Sequence, residues 1–186
     1  MIEALITQCA VQDAPPAVIQ QIIEIESSTE PLAINVNSKE PVQFSKPSNV
    51  TEAGATADKY IEQGLSVDMG YMQVNSQHLA KYDMTAEAMF DPCTNIAIGS
   101  EIFMAAYRPT KQFYGETPLA LQTALSAYNT GTFHRGFVNG YVERYGGEPN
   151  LDTPAAASAA PESQAEETDP FSSSTSVEIN FGSVDF

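Results

Sequence analysis

Ile19, Ile22, Ile23 and Glu26 fall at positions i, i+3, i+4 and i+7, so a helix through them carries a carboxylate on an apolar stripe. Burial disfavours the charged form of an acid. A glutamate in such a wall is expected to hold its proton at neutral pH and to donate it, as acid-catalysed cleavage of a glycosidic bond requires. Glu24 points about 200° around the same helix and is expected to face water. The plainer alternative for Glu26 is a helix-end acid that reaches solvent or caps a neighbour. Two further segments bear on the choice. Gly70-Tyr71-Met72-Gln73-Val74-Asn75 joins a glycine that permits close backbone approach to amides that can bond sugar hydroxyls and acetamido groups. Ala127-Tyr128-Asn129-Thr130-Gly131 ends a helical pattern with a tyrosine, an asparagine and a glycine suited to a helix C-terminus.

Helices must position these groups. Pro15 and Pro16 introduce an apolar pattern over Ala17 to Glu26, and proline is favourable in a first turn. Further helical patterns run from about Asn95 to Tyr107 and from about Pro118 to Tyr128, with a short one from Phe137 to Tyr145. Residues 38–69 differ, with Pro41, Pro47, Gly54 and Gly64 around the β-prone run Val42-Gln43-Phe44. They read as an excursion, a hairpin or a cleft wall. No internal repeat is visible.

The chain has 186 residues and a formal charge of -16, from 8 Lys and Arg against 24 Asp and Glu. That balance argues against a phosphate-tracking nucleic-acid binder and against a polybasic membrane-surface protein. No apolar run is long enough for a transmembrane segment. Residues 1–150 hold 17 acids and 8 bases, and residues 151–186 hold seven acids and no Lys or Arg. The first stretch reads as one domain. The second, rich in Ala, Ser, Pro and Thr, is expected to be a disordered acidic tail. Its end, Ser176 to Phe186, alternates apolar residues and could add a strand to a partner's sheet, the alternative being a floppy end with scattered hydrophobes.

In order, Glu26-Ser27, Pro31-Leu32-Ala33, Gly70-Tyr71-Met72-Gln73, Asp91-Pro92-Cys93-Thr94-Asn95-Ile96-Ala97-Ile98-Gly99 and Ala127-Tyr128-Asn129-Thr130-Gly131 resemble the soluble lytic transglycosylase domain over about residues 9–146. With Cys9 and the Val67-Asp68-Met69-Gly70 approach, the resemblance is closest to the specialised lytic transglycosylases of type IV secretion and conjugation systems. It implies a mainly α (α+β), lysozyme-like fold with a groove for peptidoglycan glycan strands. It also implies cleavage of the MurNAc-GlcNAc β-1,4 bond with formation of a 1,6-anhydro sugar, opening the wall locally for a secretion apparatus. The alternatives are a non-enzymatic glycan-binding assembly factor and a muramidase that hydrolyses the same bond. No cofactor and no metal are implied.

By the same resemblance Glu26 is the single catalytic acid/base, and the substrate's own acetamido group takes the place of a second carboxylate. Met72 and Gln73 are expected to line the sugar site, with Asn75 beside them. Tyr128 and Asn129 are expected near Glu26, the tyrosine hydroxyl fixing its carboxyl, and Ser27 supports the helix end. Tyr145 is either a cleft-flanking tyrosine or a packing partner of Tyr141 at i+4. Asn35 stands where many relatives have a serine near the acetamido group. Asp68 is the rival to the one-acid reading: facing Glu26 it would activate water, whereas in a structural role it bonds its surroundings. His78 and His134 are expected at the surface or groove edge.

Cys9 and Cys93 are the two cysteines. They are read as a disulfide, which suits an oxidising compartment, with two buried free thiols as the alternative. The N-terminus shows neither a cationic start nor a long apolar stretch, so no signal peptide is expected in this sequence. The implied substrate nevertheless places the protein in the periplasm or cell envelope, with secretion-system components recruited through the tail.

Overall fold

The computed structural model describes residues 2–146. The acidic tail expected from residue 151 lies outside the described residues. Helices dominate: α1 (Ile2–Cys9), α2 (Pro16–Ser27), α3 (Val50–Ile61), α4 (Pro92–Tyr114), α5 (Pro118–Thr130) and the short α6 (Arg135–Val138). A three-stranded antiparallel sheet of β1 (Ile34–Asn37), β2 (Ser66–Met69) and β3 (Val74–Asn75) packs beside them. This is the mainly helical arrangement with a small sheet that a lysozyme-like fold requires.

Local chemistry sets the helix ends. Pro16, Pro92 and Pro118 each occupy a first turn, where a missing N–H leaves nothing unbonded. Asp91 and Thr117 cap α4 and α5 by accepting from the backbone N–H groups of Thr94 and Ala120. Helix α2 ends where Ser28 turns left-handed at φ 52°, and α5 ends on Gly131 at φ 72°. The stripe of Ile19, Ile22 and Ile23 is fully buried with Met69, Met72, Ile96 and Phe103, each at 0% exposure. Glu24 is exposed, as its angle on the helix predicts.

Several elements differ from the sequence expectation. The run 38–69 contains a helix of more than three turns, α3, that its proline and glycine content conceals. Asn49 caps it by accepting from the Glu52 N–H, and Glu52 in turn accepts from the Ser48 N–H. Gly54 lies inside α3 because a Cβ there would stand 2.7 Å from Glu87 Cα. Val42-Gln43-Phe44 forms no strand; its backbone accepts a hydrogen bond from Tyr60 on α3. Helix α4 continues through Pro109 to Tyr114, its Thr110 hydroxyl bonding the Ala106 and Tyr107 carbonyls. The helix expected over Phe137–Tyr145 is broken by Gly140 at φ 78° into α6 and a 3-10 turn, Val142–Tyr145.

A disulfide joins Cys9, at the end of α1, to Cys93, in the first turn of α4, across a sequence separation of 84. Closing a loop of that length stabilises the fold by about 4 kcal/mol in the chain-entropy account.

Candidate active site

A groove of about 1100 Å³ runs between the helices and the sheet. Its helical side is built by Glu26 and Ser27 from α2, by the end of α5 from Ala127 to Thr132, and by Arg144. Its sheet side presents Asn35, Asn37, Asp68 and Asn75, with Gln77 and His78 beyond them. Gln73 also lines it. Among the described residues no group of three His, Cys, Asp or Glu could hold a metal ion.

Glu26 is half-buried near the C-terminus of α2. The Tyr141 hydroxyl donates to its Oε1 at 2.5 Å, and the Tyr141 and Tyr145 hydroxyls are 2.7 Å apart. Arg144, from the same 3-10 turn, donates through Nη2 to the Ile25 carbonyl at 2.7 Å. Burial pushes the Glu26 carboxyl above its ordinary value. The Tyr141 hydrogen bond and the Arg144 charge oppose that rise, and the charge of Asp68 adds to it. Tyr141 and Tyr145 are themselves pushed far up, first by burial, so both stay protonated.

The sheet register explains the opposite side. Asn35 pairs with Asp68, and Asp68 pairs with Asn75, so the three stand in one row across the sheet, and Asn37 lies two residues along on the same face. Asp68 Oδ2 accepts from Asn35 and Asn37 Nδ2, both at 2.9 Å, and Oδ1 accepts from Asn75 Nδ2 at 2.6 Å. Its carboxylate is thus tied to its neighbours by three amides.

Gln73 adopts a left-handed backbone at φ 48°. Its amide nitrogen donates to the Ala33 and Gly70 carbonyls at 3.2 and 2.9 Å, leaving Oε1 as an acceptor for a ligand. Asn95, 1% exposed on α4, holds this loop by bonding the Met69 and Met89 carbonyls and the Met72 N–H. Gly70 must be glycine here: it sits at φ 73°, and a Cβ would stand 2.4 Å from Asn95 Nδ2.

The groove therefore gathers Glu26, Ser27, Asn35, Gln73, Asn75, Tyr128 and Asn129. Met72 is a correction. Its side chain is fully buried and packs onto Gly99, so the backbone of that loop, not the thioether, approaches the site. Tyr128 is a second correction: its hydroxyl donates to the Met72 carbonyl at 2.6 Å, and the tyrosine on Glu26 is Tyr141. Tyr145 packs on Tyr141 with ring centres 5.3 Å apart and bonds its hydroxyl, outside the groove lining. Ser27 donates to the Ile23 carbonyl at the helix end. His78 lies at the groove, and His134 is exposed. Sequence reasoning missed Asn37 and Arg144, and it gave Tyr141 no role at Glu26. For Asn37 a signal existed in the apolar-polar alternation of Ile34-Asn35-Val36-Asn37.

The chain is similar to Protein virB1 of Agrobacterium fabrum, 32% identical over 138 residues, which is 74% of this chain and 54% of that protein. It is also similar to the Type IV secretion system protein virB1 of Brucella abortus, 36% identical over 134 residues, 72% of this chain and 55% of that one. An uncharacterized protein, y4dP, of Sinorhizobium fredii is 29% identical over 141 residues, 70% of this chain and 68% of the relative. The chain thus spans about half the length of the two virB1 relatives. No solved structure matches it. The family model for the Transglycosylase SLT domain matches residues 5–150, more than half of the chain, and the chain belongs to that family.

Proposed function

We propose that the protein is a peptidoglycan lytic transglycosylase with Glu26 as its single acid/base. One observation carries the reading: a half-buried glutamate, held by a tyrosine hydroxyl at 2.5 Å, opens onto a groove otherwise rich in neutral amides. Neutral donors and acceptors in that density suit a carbohydrate. Glu26, whose protonated form is favoured by its partial burial, gives its proton to the oxygen of the MurNAc-GlcNAc β-1,4 bond as the C1–O bond breaks. The sugar's acetamido oxygen stabilises the positive centre. The C6 hydroxyl of the same MurNAc then attacks C1 and returns its proton to Glu26. No water is consumed, and the product carries a 1,6-anhydro ring.

Gln73 Oε1 and the Asn35, Asn75 and Asn129 amides take the sugar's polar groups in this reading, and Ser27 keeps the end of α2 in place. Tyr141 aims the carboxyl, and Tyr145 braces Tyr141. The similarity to two virB1 proteins, one of them called a type IV secretion system protein, supports a setting in which the cut opens the wall locally for such an apparatus. That setting is the periplasm, where a disulfide is stable. Among the described residues no helix is long and apolar enough to cross a membrane. The domain of residues 1–150 cuts, and residues 151–186 recruit secretion-system partners.

Mass analysis of the fragments that the purified protein releases from sacculi tests the chemistry. Anhydro-muropeptides are expected. Products with reducing ends would overturn the transglycosylase reading in favour of hydrolysis.

A further inference from the structure

We propose that Arg144 is a specificity residue that binds the acidic substituent of the glycan, so that the groove prefers acid-bearing strands to neutral ones. The proposal rests on the glycan reading above and deepens it. Alternate sugars of the proposed substrate carry a lactyl ether at C3. Its acyl end is either a free carboxylate or an amide to a peptide that brings carboxylates of its own, so in both forms the strand is an anion. The protein is a poor host for an anion: residues 1–150 carry 17 acids and 8 bases, and the groove contributes the Asp68 carboxylate. Like charges across an interface disfavour binding. A local cation is needed, and Arg144 is the one lysine or arginine in the groove lining.

Its surroundings set it apart from other bases of the fold. Lys46, Arg108 and Lys111 are each ion-paired, with Glu30, Glu101 and Glu116. Arg144 is exposed and makes no ion pair with a described residue. It is held at two points instead. Nη2 donates to the Ile25 carbonyl at 2.7 Å, and the guanidinium carbon lies 5.5 Å from the centre of the Tyr141 ring. That is the one hydrogen bond of its side chain among the described residues. A guanidinium has five N–H donors in a rigid fork that matches a carboxylate. Most of them stay available, on a group whose rotamer freedom is already spent. Because the same turn carries Tyr141, the anion site would sit next to the proposed acid. A strand would be fixed in register by its substituent while its glycosidic oxygen faces Glu26.

A role confined to holding the end of α2 would predict something different. Loss of the guanidinium would then weaken every glycan alike. The test uses the full chain with Glu26→Gln, so that nothing is cut, with and without Arg144→Gln. Dissociation constants are measured for a lactyl-bearing GlcNAc-MurNAc oligosaccharide and for a chitin oligosaccharide of the same length. Arg144→Gln should weaken the acid-bearing ligand about fivefold, the worth of one solvent-exposed ion pair, and leave chitin unchanged. Raising the salt concentration should shrink the difference, and Arg144→Lys should restore part of it. Equal weakening of both ligands, or of neither, overturns the proposal while leaving the glycan groove standing. If neither oligosaccharide binds with Arg144 intact, the glycan reading itself fails and takes this inference with it.

Discussion

Glu26 and Asp68 are carboxylates on the same groove, held in opposite ways. Glu26 ends a buried isoleucine stripe and receives one hydroxyl donor, from Tyr141. Asp68 lies in the middle strand of the sheet and receives three amide donors, from Asn35, Asn37 and Asn75. The first arrangement raises the acid's pKa, mainly by burial, and so favours its protonated form. The second engages most of the carboxylate's lone pairs with neighbours and turns it into the hub of a polar row. What separates a proposed catalyst from a scaffold is therefore the number and kind of donors around the group, not its residue type. The two are coupled, since the charge of Asp68 helps to raise Glu26.

The largest effect expected from this contrast is at Glu26. Glu26→Gln should lower the release of anhydro-muropeptides about 10²–10⁴-fold, the range for a lost general acid. The same substitution should raise Tm at neutral pH. With its pKa raised in the fold, Glu26 holds more protons folded than unfolded, so stability falls as pH rises from the ordinary carboxylate value through the folded one. The Tm gain should therefore grow over that window and vanish below it; a gain independent of pH would break the contrast. Next comes Tyr141→Phe, expected to cost about tenfold in rate, the worth of one strong hydrogen bond. It removes an influence that lowers Glu26, so the alkaline limb of the pH-rate profile should move up.

Asp68→Asn should move that limb down, because the charge removed is one that raises Glu26. The rate should fall about threefold, and anhydro ends should persist, since the amide row loses only its acceptor. A loss as large as that of Glu26→Gln would show that Asp68 is more than a hub, and a profile unmoved would show that its charge does not reach Glu26. The smallest effect belongs to Asn37→Ala, which removes one of three donors on an exposed edge. About a twofold rise in KM with kcat unchanged is expected from steady-state digestion.

Much of this contrast was legible in the chain. Helical spacing placed Glu26 on the isoleucine stripe and Glu24 in water, and prolines marked the starts of α2 and α5. The cysteine pair was read as the bridge that joins α1 to α4. Helix α3 was hidden because Gly54 lowers helix propensity, and its reason for being glycine, contact with Glu87, lies 33 positions away in the chain. The tyrosine on Glu26 was misassigned for a similar reason. Tyr128 closes a helical pattern and Tyr141 follows Asn139-Gly140, and only tertiary closure decides that one hydroxyl meets the Met72 carbonyl and the other the carboxyl. The asparagine row needed a register between strands that no single segment specifies.

The bond from Tyr141 to Glu26 spans a sequence separation of 115. The acid and the group that aims it therefore come from opposite ends of the described residues. An unfinished copy, stopped anywhere before residue 141, carries Glu26 with neither its tyrosine nor Arg144. In such a copy the proposed acid is present but nothing aims it.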